Sequence, residues 1–334
     1  MNSVGIIERN KDGKGAFMLF SLAFLVMAAA IAACAPIALS MVIVFFFAGP
    51  HNWIEFRYFL SRLPARFGKL KRFFVWAFAG VTLLTISKIA LAACLSMKLV
   101  PVPLATILFA AWNSAVVLWT LRLIFLTAAQ RAEREWKWAL PAAVALIAIN
   151  WLNPSLFGVG LVYLHPLIGM WILDREIARS KPEWRGAYHV CLAAVALLVG
   201  MIWWQLHDVP AKFGSDYISG RILFRAGASL LPISSRLLVA THAFLETVHY
   251  AIWLLVIPMA SAGWRSFRPC SLPLSWRSNG CRRAIAALLA VSSVAVVALW
   301  LAFKLDFGLT TDVYFTLAIA HVLAEIPFLL KGVM

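Results

Sequence analysis

Histidines and carboxylates recur inside the longest apolar stretches of this chain, and three pairs of them share one spacing. His51/Glu55, His242/Glu246 and His321/Glu325 each place a carboxylate four residues after an imidazole. On a helix that separation is one turn along one face, so both side chains of a pair meet the same neighbour. His249 lies seven residues after His242 and three after Glu246, giving a His, Glu, His stripe. The stripe contains a Glu-x-x-His pair of the kind used by carboxylate-bridged di-metal bundles. His165 stands alone in another apolar run. Neutral imidazoles with carboxylates suit iron, copper or zinc, and the absence of nearby thiols argues against a sulfur-rich site.

An ionised side chain inside hydrocarbon costs about 2.5–3.5 kcal/mol on insertion scales, so those that remain are candidate functional groups. Depth decides whether they can meet. Counted from the outer end of each apolar run at ~1.5 Å per residue, His51 and His249 fall near ~20 Å, His321 near ~15 Å and His165 near ~13 Å. These levels are compatible with one site; His242 lies about two helical turns above His249. The expectation is a metal held by His51, His165, His249 and His321, with His242 a further candidate. Glu246, Glu325 and Glu55 are then the catalytic carboxylates, as ligands or as groups that orient ring nitrogens. The packing alternative is plainest for His165, since polar side chains also join transmembrane helices. Gly49-Pro50-His51 admits two readings: a proline kink that aims His51 inward, or a span that ends at Pro50 and leaves His51 at the interface. Lys88, fifteen residues into its run, either snorkels or meets a buried carboxylate.

The elements that must position these groups follow from composition. Hydrophobic residues make up 63% of the 334 and charged residues only 13%, with a mean hydropathy of +0.87. Soluble domains need roughly a quarter of their residues charged, whereas from Ala16 to Pro50 there is no charge at all. Backbone amides in lipid must be bonded within the segment or in a closed barrel, and uniformly apolar runs of this length are helical. The fold class is therefore all-α, a polytopic transmembrane bundle. Candidate spans are 17–34, 37–61, 73–97, 104–128, 136–153, 156–173, 188–205, 235–260, 283–304 and 311–330, about ten crossings.

Charge sets the register. The loops Arg62 to Arg72, Arg131 to Arg134, Arg175 to Arg185 and Arg265 to Arg283 are basic, whereas Val100 to Val102, Asn153 to Ser155 and Asp306 to Thr311 carry almost no Lys or Arg. That alternation puts the basic loops and both termini in the cytoplasm. Arg221 to Arg236 reads as an amphipathic segment on the outer face. Tryptophans near run ends (Trp53, Trp136, Trp151, Trp204, Trp264) suit an aromatic belt. The surplus of 30 Lys and Arg over 14 Asp and Glu is accounted for by lipid-facing loops, and no soluble domain is present to bind nucleic acid. The five cysteines show no metal-ligand spacing and imply no disulfide framework. The apolar stretch after Met1 to Gly15 is too long for a cleaved signal peptide. The chain reads as one membrane domain, 1–334, with a first hairpin over 16–61, central spans over 73–205 and C-terminal spans over 219–334.

Pro50-His51 after an apolar run, followed by Glu55 and by further intramembrane histidines, resembles the bacterial Brp/Blh-type carotene oxygenases. The likeness covers this one motif and the general layout of transmembrane histidines, and Asn52 stands where that family typically has glycine. The resemblance implies an integral membrane, iron-dependent oxygenase that cleaves a polyene drawn from the bilayer, with His51 as a metal ligand. The residues alone point to the same class, because a metal at mid-membrane meets substrates dissolved in lipid, and an apolar surround keeps water from a reactive centre. The expected cofactor is non-haem iron, as Fe2+. The expected reaction is oxygenation, hydroxylation or desaturation of a lipid or isoprenoid such as a carotenoid. The expected compartment is a bacterial cytoplasmic membrane, with membrane lipid, a lipophilic small molecule and other membrane proteins as partners. Three alternatives stand beside it: haem b ligated axially by two of His51, His165, His249 and His321; a proton- or ion-coupled carrier using Glu246, Glu325 and His249; and a non-catalytic subunit of a membrane complex. No nucleotide-binding glycine loop or nucleophile motif occurs.

Overall fold

The structure, a computed structural model, describes residues 3–128, 136–209, 216–227, 233–261 and 272–333. The basic run Arg131 to Arg134, Trp264, Cys270 and the part of the last basic loop before residue 272 lie outside the described residues, as do residues 228–232 of the amphipathic segment. Among the described residues every regular element is helical. The long helices are α1 (Ser3–Cys34), α2 (Pro36–Arg62), α3 (Lys71–Ser96), α4 (Val102–Ala128), α6 (Pro154–Ser180), α7 (Arg185–Leu206), α9 (Ser235–Ala251), α11 (Asn279–Leu305) and α12 (Phe307–Val333). Shorter ones are α5 (Ala139–Leu152), α8 (Tyr217–Arg225) and α10 (Ile257–Ala260), the last joined to α9 through a π-helical turn, Ile252–Val256. Among the described residues, nine segments are long and apolar enough to cross a membrane. Large apolar side chains stand bare along them, Phe20 at 75%, Trp204 at 82% and Leu305 at 88% exposure. Such surfaces need lipid against them. The chain is a helical integral membrane protein, as its composition requires.

Three expectations change in detail. The run 136–153 forms α5, whose 14 residues reach about 21 Å, short of the ~30 Å hydrocarbon core. It stops where Asn153 turns extended, at φ −152° and ψ 95°, the region a following proline favours. Pro154 then opens α6, which needs no amide there. Secondly, α2 continues through Pro50 to Arg62, so the reading in which the span ends at Pro50 gives way. The amphipathic segment becomes helical at Tyr217, earlier than expected, and its helix closes at Arg225. Asp216 caps it, accepting from the Ser219 amide at 3.0 Å and the Ser219 hydroxyl at 2.6 Å. Those bonds hold the Asp216 carboxyl below the usual carboxylate range.

The chain divides into two compact units, residues 1–51 with 162–266, and residues 52–161 with 267–334. Helices α2 and α6 supply residues to both. In the first unit α9 is the central element: Leu237 to Glu246 and Val248 to Tyr250 are buried, with α1 and α7 packed on it. Arg236, in its first turn, donates to the Ala33 and Cys34 carbonyls at 3.2 and 3.3 Å, placing a cation on the last turn of α1, where unsatisfied carbonyls attract it. Tyr188 of α7 donates to the Met170 carbonyl of α6 at 2.7 Å.

In the second unit Phe73, Leu123 and Leu323 are fully buried at the centre of an apolar core drawn from α3, α4 and α12. Gly80 lets α3 take the Trp119 indole against its backbone: a Cβ there would fall 1.8 Å from Trp119 Nε1, which donates to the Trp76 carbonyl at 2.9 Å. Asn113 of α4 donates to Asn150 Oδ1 at 2.7 Å, and Asn150 donates to the Ala110 carbonyl at 2.8 Å. Two buried amides thereby clasp α5 to α4. Lys88 Nζ rests over the Phe109 and Trp112 rings at 4.4 and 4.5 Å from their centroids, a cation–π seat that lets an ammonium sit inside the span.

Candidate metal centre

Three of the histidines singled out from sequence meet in the first unit. His51 comes from α2, His165 from α6 and His249 from α9, and one ring nitrogen of each lies within 4.8 Å of the others. His51 and His249 are each 1% exposed and His165 is half-buried. Each sits beside an interruption of its helix. Pro50 precedes His51, Pro166 follows His165, and the π-helical turn begins at Ile252, three residues after His249. Prolines and π-turns loosen the regular ladder and re-aim side chains, which is why such interruptions gather at functional sites.

The rings are held edge and face. The His51 Nδ1 donates to the Phe47 carbonyl at 3.3 Å; a carbonyl only accepts, so the proton is on Nδ1 and Nε2 carries the lone pair. Metal-binding histidines are oriented by this kind of bond. The His51 ring lies 4.3 Å from the Tyr250 ring and 5.4 Å, edge-on, from that of His249. His165 and His249 are 4.2 Å apart, ring to ring. Behind His249, Gly169 of α6 gives the space: a Cβ there would stand 2.9 Å from His249 Nδ1 and 3.3 Å from Cε1. Gly169 is one turn after His165, so one face of α6 both supplies an imidazole and makes room for another.

This donor set fits a metal ion. Three atoms mutually within 4.8 Å have a common point at most about 2.8 Å from each, and closure of at most about 0.7 Å per ring reaches the ~2.1 Å of a metal–nitrogen bond. A haem between His249 and either His51 or His165 fits less well. Imidazoles on opposite sides of a porphyrin need centroids on the order of 6 Å apart, and the His165/His249 and His51/His249 rings are closer than that.

The other sequence candidates belong to both units. In the same unit His242 and Glu246 are buried one turn apart on α9, with His242 Nδ1 3.9 Å from Glu246 Oε2. Glu246 Oε1 accepts from the Tyr250 hydroxyl at 2.8 Å, and the His242 ring lies 6.0 Å from that of Tyr163. In the second unit Glu55 of α2 and Glu325 of α12 are fully buried and hydrogen-bonded to each other. His321 is one turn before Glu325 on α12 and half-buried. Tyr250 and Gly169 were not singled out from sequence. Tyr250 follows His249 directly, and Gly169 follows His165 by four residues; position relative to a histidine was the signal that could have found both.

Comparison of the chain with family models, with curated proteins and with solved structures gives no match.

Proposed function

We propose that this protein is a membrane-embedded metalloenzyme in which His51, His165 and His249 hold a non-haem iron that oxidises a lipid-soluble substrate, a polyene or another isoprenoid. The observation that carries the reading is the convergence of three ring nitrogens, from three helices, within 4.8 Å. Packing alone gives little reason to gather three imidazoles in one apolar unit, since each buried polar ring must be satisfied. A set of neutral imidazoles suits Fe2+ and leaves positions open for other ligands. Iron in such a set supplies activation of dioxygen, and the chain supplies what surrounds it. Phe47 fixes the His51 tautomer, Tyr250 and Trp253 wall the rings, and the apolar helices keep water away. The membrane location is the reason for preferring a hydrocarbon substrate, which can arrive through lipid and needs no aqueous channel.

Metal analysis with an optical spectrum on purified, detergent-solubilised protein tests this. About one iron per chain and no Soret band are expected, with iron lost in His51→Ala and His249→Ala. Full iron retention in both variants sinks the assignment, and a metal-free wild type moves the protein to the carrier or structural-subunit class.

A further inference from the structure

We infer that Glu246 is a positioning residue for the three-histidine centre, acting through the phenol of Tyr250. The inference rests on the metal reading above. Glu246 sits one turn before Tyr250 on α9, and its Oε1 accepts the Tyr250 hydroxyl at 2.8 Å. Tyr250 is 4% exposed and presents its ring to His51 at 4.3 Å and 37°. The carboxylate is itself bracketed, because its second oxygen faces His242 Nδ1 at 3.9 Å. A chain therefore runs from His242 and Glu246 through the Tyr250 hydroxyl to the Tyr250 ring and the face of His51.

The physical content is a division of labour around one imidazole. The Phe47 carbonyl holds the Nδ1 edge of the His51 ring at 3.3 Å; tilting of the ring's plane is limited by what packs on its face. A flat neighbour against its face removes that freedom, provided the neighbour cannot swing too. Tyr250 has only two side-chain torsions, and a bond from its hydroxyl to a group on its own helix pins both. A carboxyl suits this place because its Oε1 accepts from the phenol one turn away on the same helix. Partners one step removed from a metal ligand commonly change metal affinity 10–100-fold when lost. Glu246 lies three residues from His249 and could be taken from sequence for a ligand. In the structure its oxygens face Tyr250 and His242, which assigns it to support.

Cobalt(II) titration of the full-length protein in detergent tests this, because the visible absorption bands of bound Co2+ report ligand geometry as well as occupancy. Tyr250→Phe and Glu246→Ala are each expected to weaken Co2+ binding about tenfold and to shift the bands. The double variant is expected to be no weaker than either single one, since the two residues form one chain. Glu246→Gln, whose amide oxygen still accepts from the phenol, is expected to restore both readouts. A loss in Glu246→Ala with a wild-type Tyr250→Phe overturns the inference and makes Glu246 a ligand in its own right. Unchanged bands in both variants, even with a lowered melting temperature, also overturn it and leave a merely structural bond. A wild type that takes up no Co2+ removes the metal reading itself, so the two failures are distinct.

Discussion

Replacing Gly169 with alanine adds one methyl group to a helix and, on the proposed metal reading, is expected to weaken metal binding. The added Cβ would stand 2.9 Å from His249 Nδ1 and 3.3 Å from Cε1, with Trp253 Nε1 at 3.5 Å. Optimal contact between such atoms is about 3.5–4.0 Å, so the imidazole must retreat by roughly 0.5–1 Å. Trp253 closes one line of retreat. A binding constellation loses function when its ligands stray beyond about 0.5 Å from the productive geometry, and the affinity loss expected is at least about tenfold, the lower end for perturbed support of a ligand. Stability should move little. Overpacking costs about 1–3 kcal/mol, and the better helix propensity of alanine returns up to about 1 kcal/mol. Competition against a chelator gives the affinity and thermal unfolding the stability. Gly160→Ala on the same helix, where a Cβ meets nothing within 4 Å, serves as control. Wild-type affinity in Gly169→Ala would show that the His249 ring is not confined by α6, and the centre as drawn would be wrong.

Gly80→Ala should act on stability instead, since its Cβ would overlap the Trp119 indole at 1.8 Å and break the bond to the Trp76 carbonyl. A loss of about 2–4 kcal/mol follows from overpacking plus one buried hydrogen bond. An unchanged unfolding midpoint would contradict it. The Asp216 cap gives a pH dependence whose sign is fixed by its depressed carboxyl. The cap contributes fully at neutral pH and is lost as pH falls through the folded-state value, below the usual carboxylate range. Hydrogen-exchange protection of the Tyr217 to Gly220 amides should therefore fall in strong acid. In Asp216→Asn, a neutral cap of similar strength, it should persist, and identical acid profiles for the two proteins would remove the cap from the account.

The helical class was legible because a chain with no charge from Ala16 to Pro50 has no other way to satisfy its backbone in lipid. Helix ends were legible where proline or charge marked them. The fate of Pro50 was not, because membranes tolerate a proline inside a helix when neighbouring protein satisfies what it frees, and sequence does not show the neighbour. Counting rise per residue put His51, His165 and His249 at comparable depth, and the structure holds them together. The same count could not assign a direction around each helix axis, so it could not say which carboxylate faces what. Tyr250 and Gly169 carried no signal of their own. A buried tyrosine is ordinary, and a glycine in a membrane helix is most simply a packing contact; only the space behind His249 gives the latter its role.

The clasp between Asn113 and Asn150 bears on how the chain enters the bilayer. α5 is too short to span, and it carries a primary amide that hydrocarbon would resist. On its own it is a poor substrate for insertion. α4 is synthesised first and carries Asn113 and the Ala110 carbonyl, the partners that Asn150 of α5 meets in the finished fold. The clasp leads to the expectation that α4 and α5 enter as a pair, and that a break in it is felt during synthesis, as misinsertion and degradation, before it is felt as a loss of stability in the finished protein.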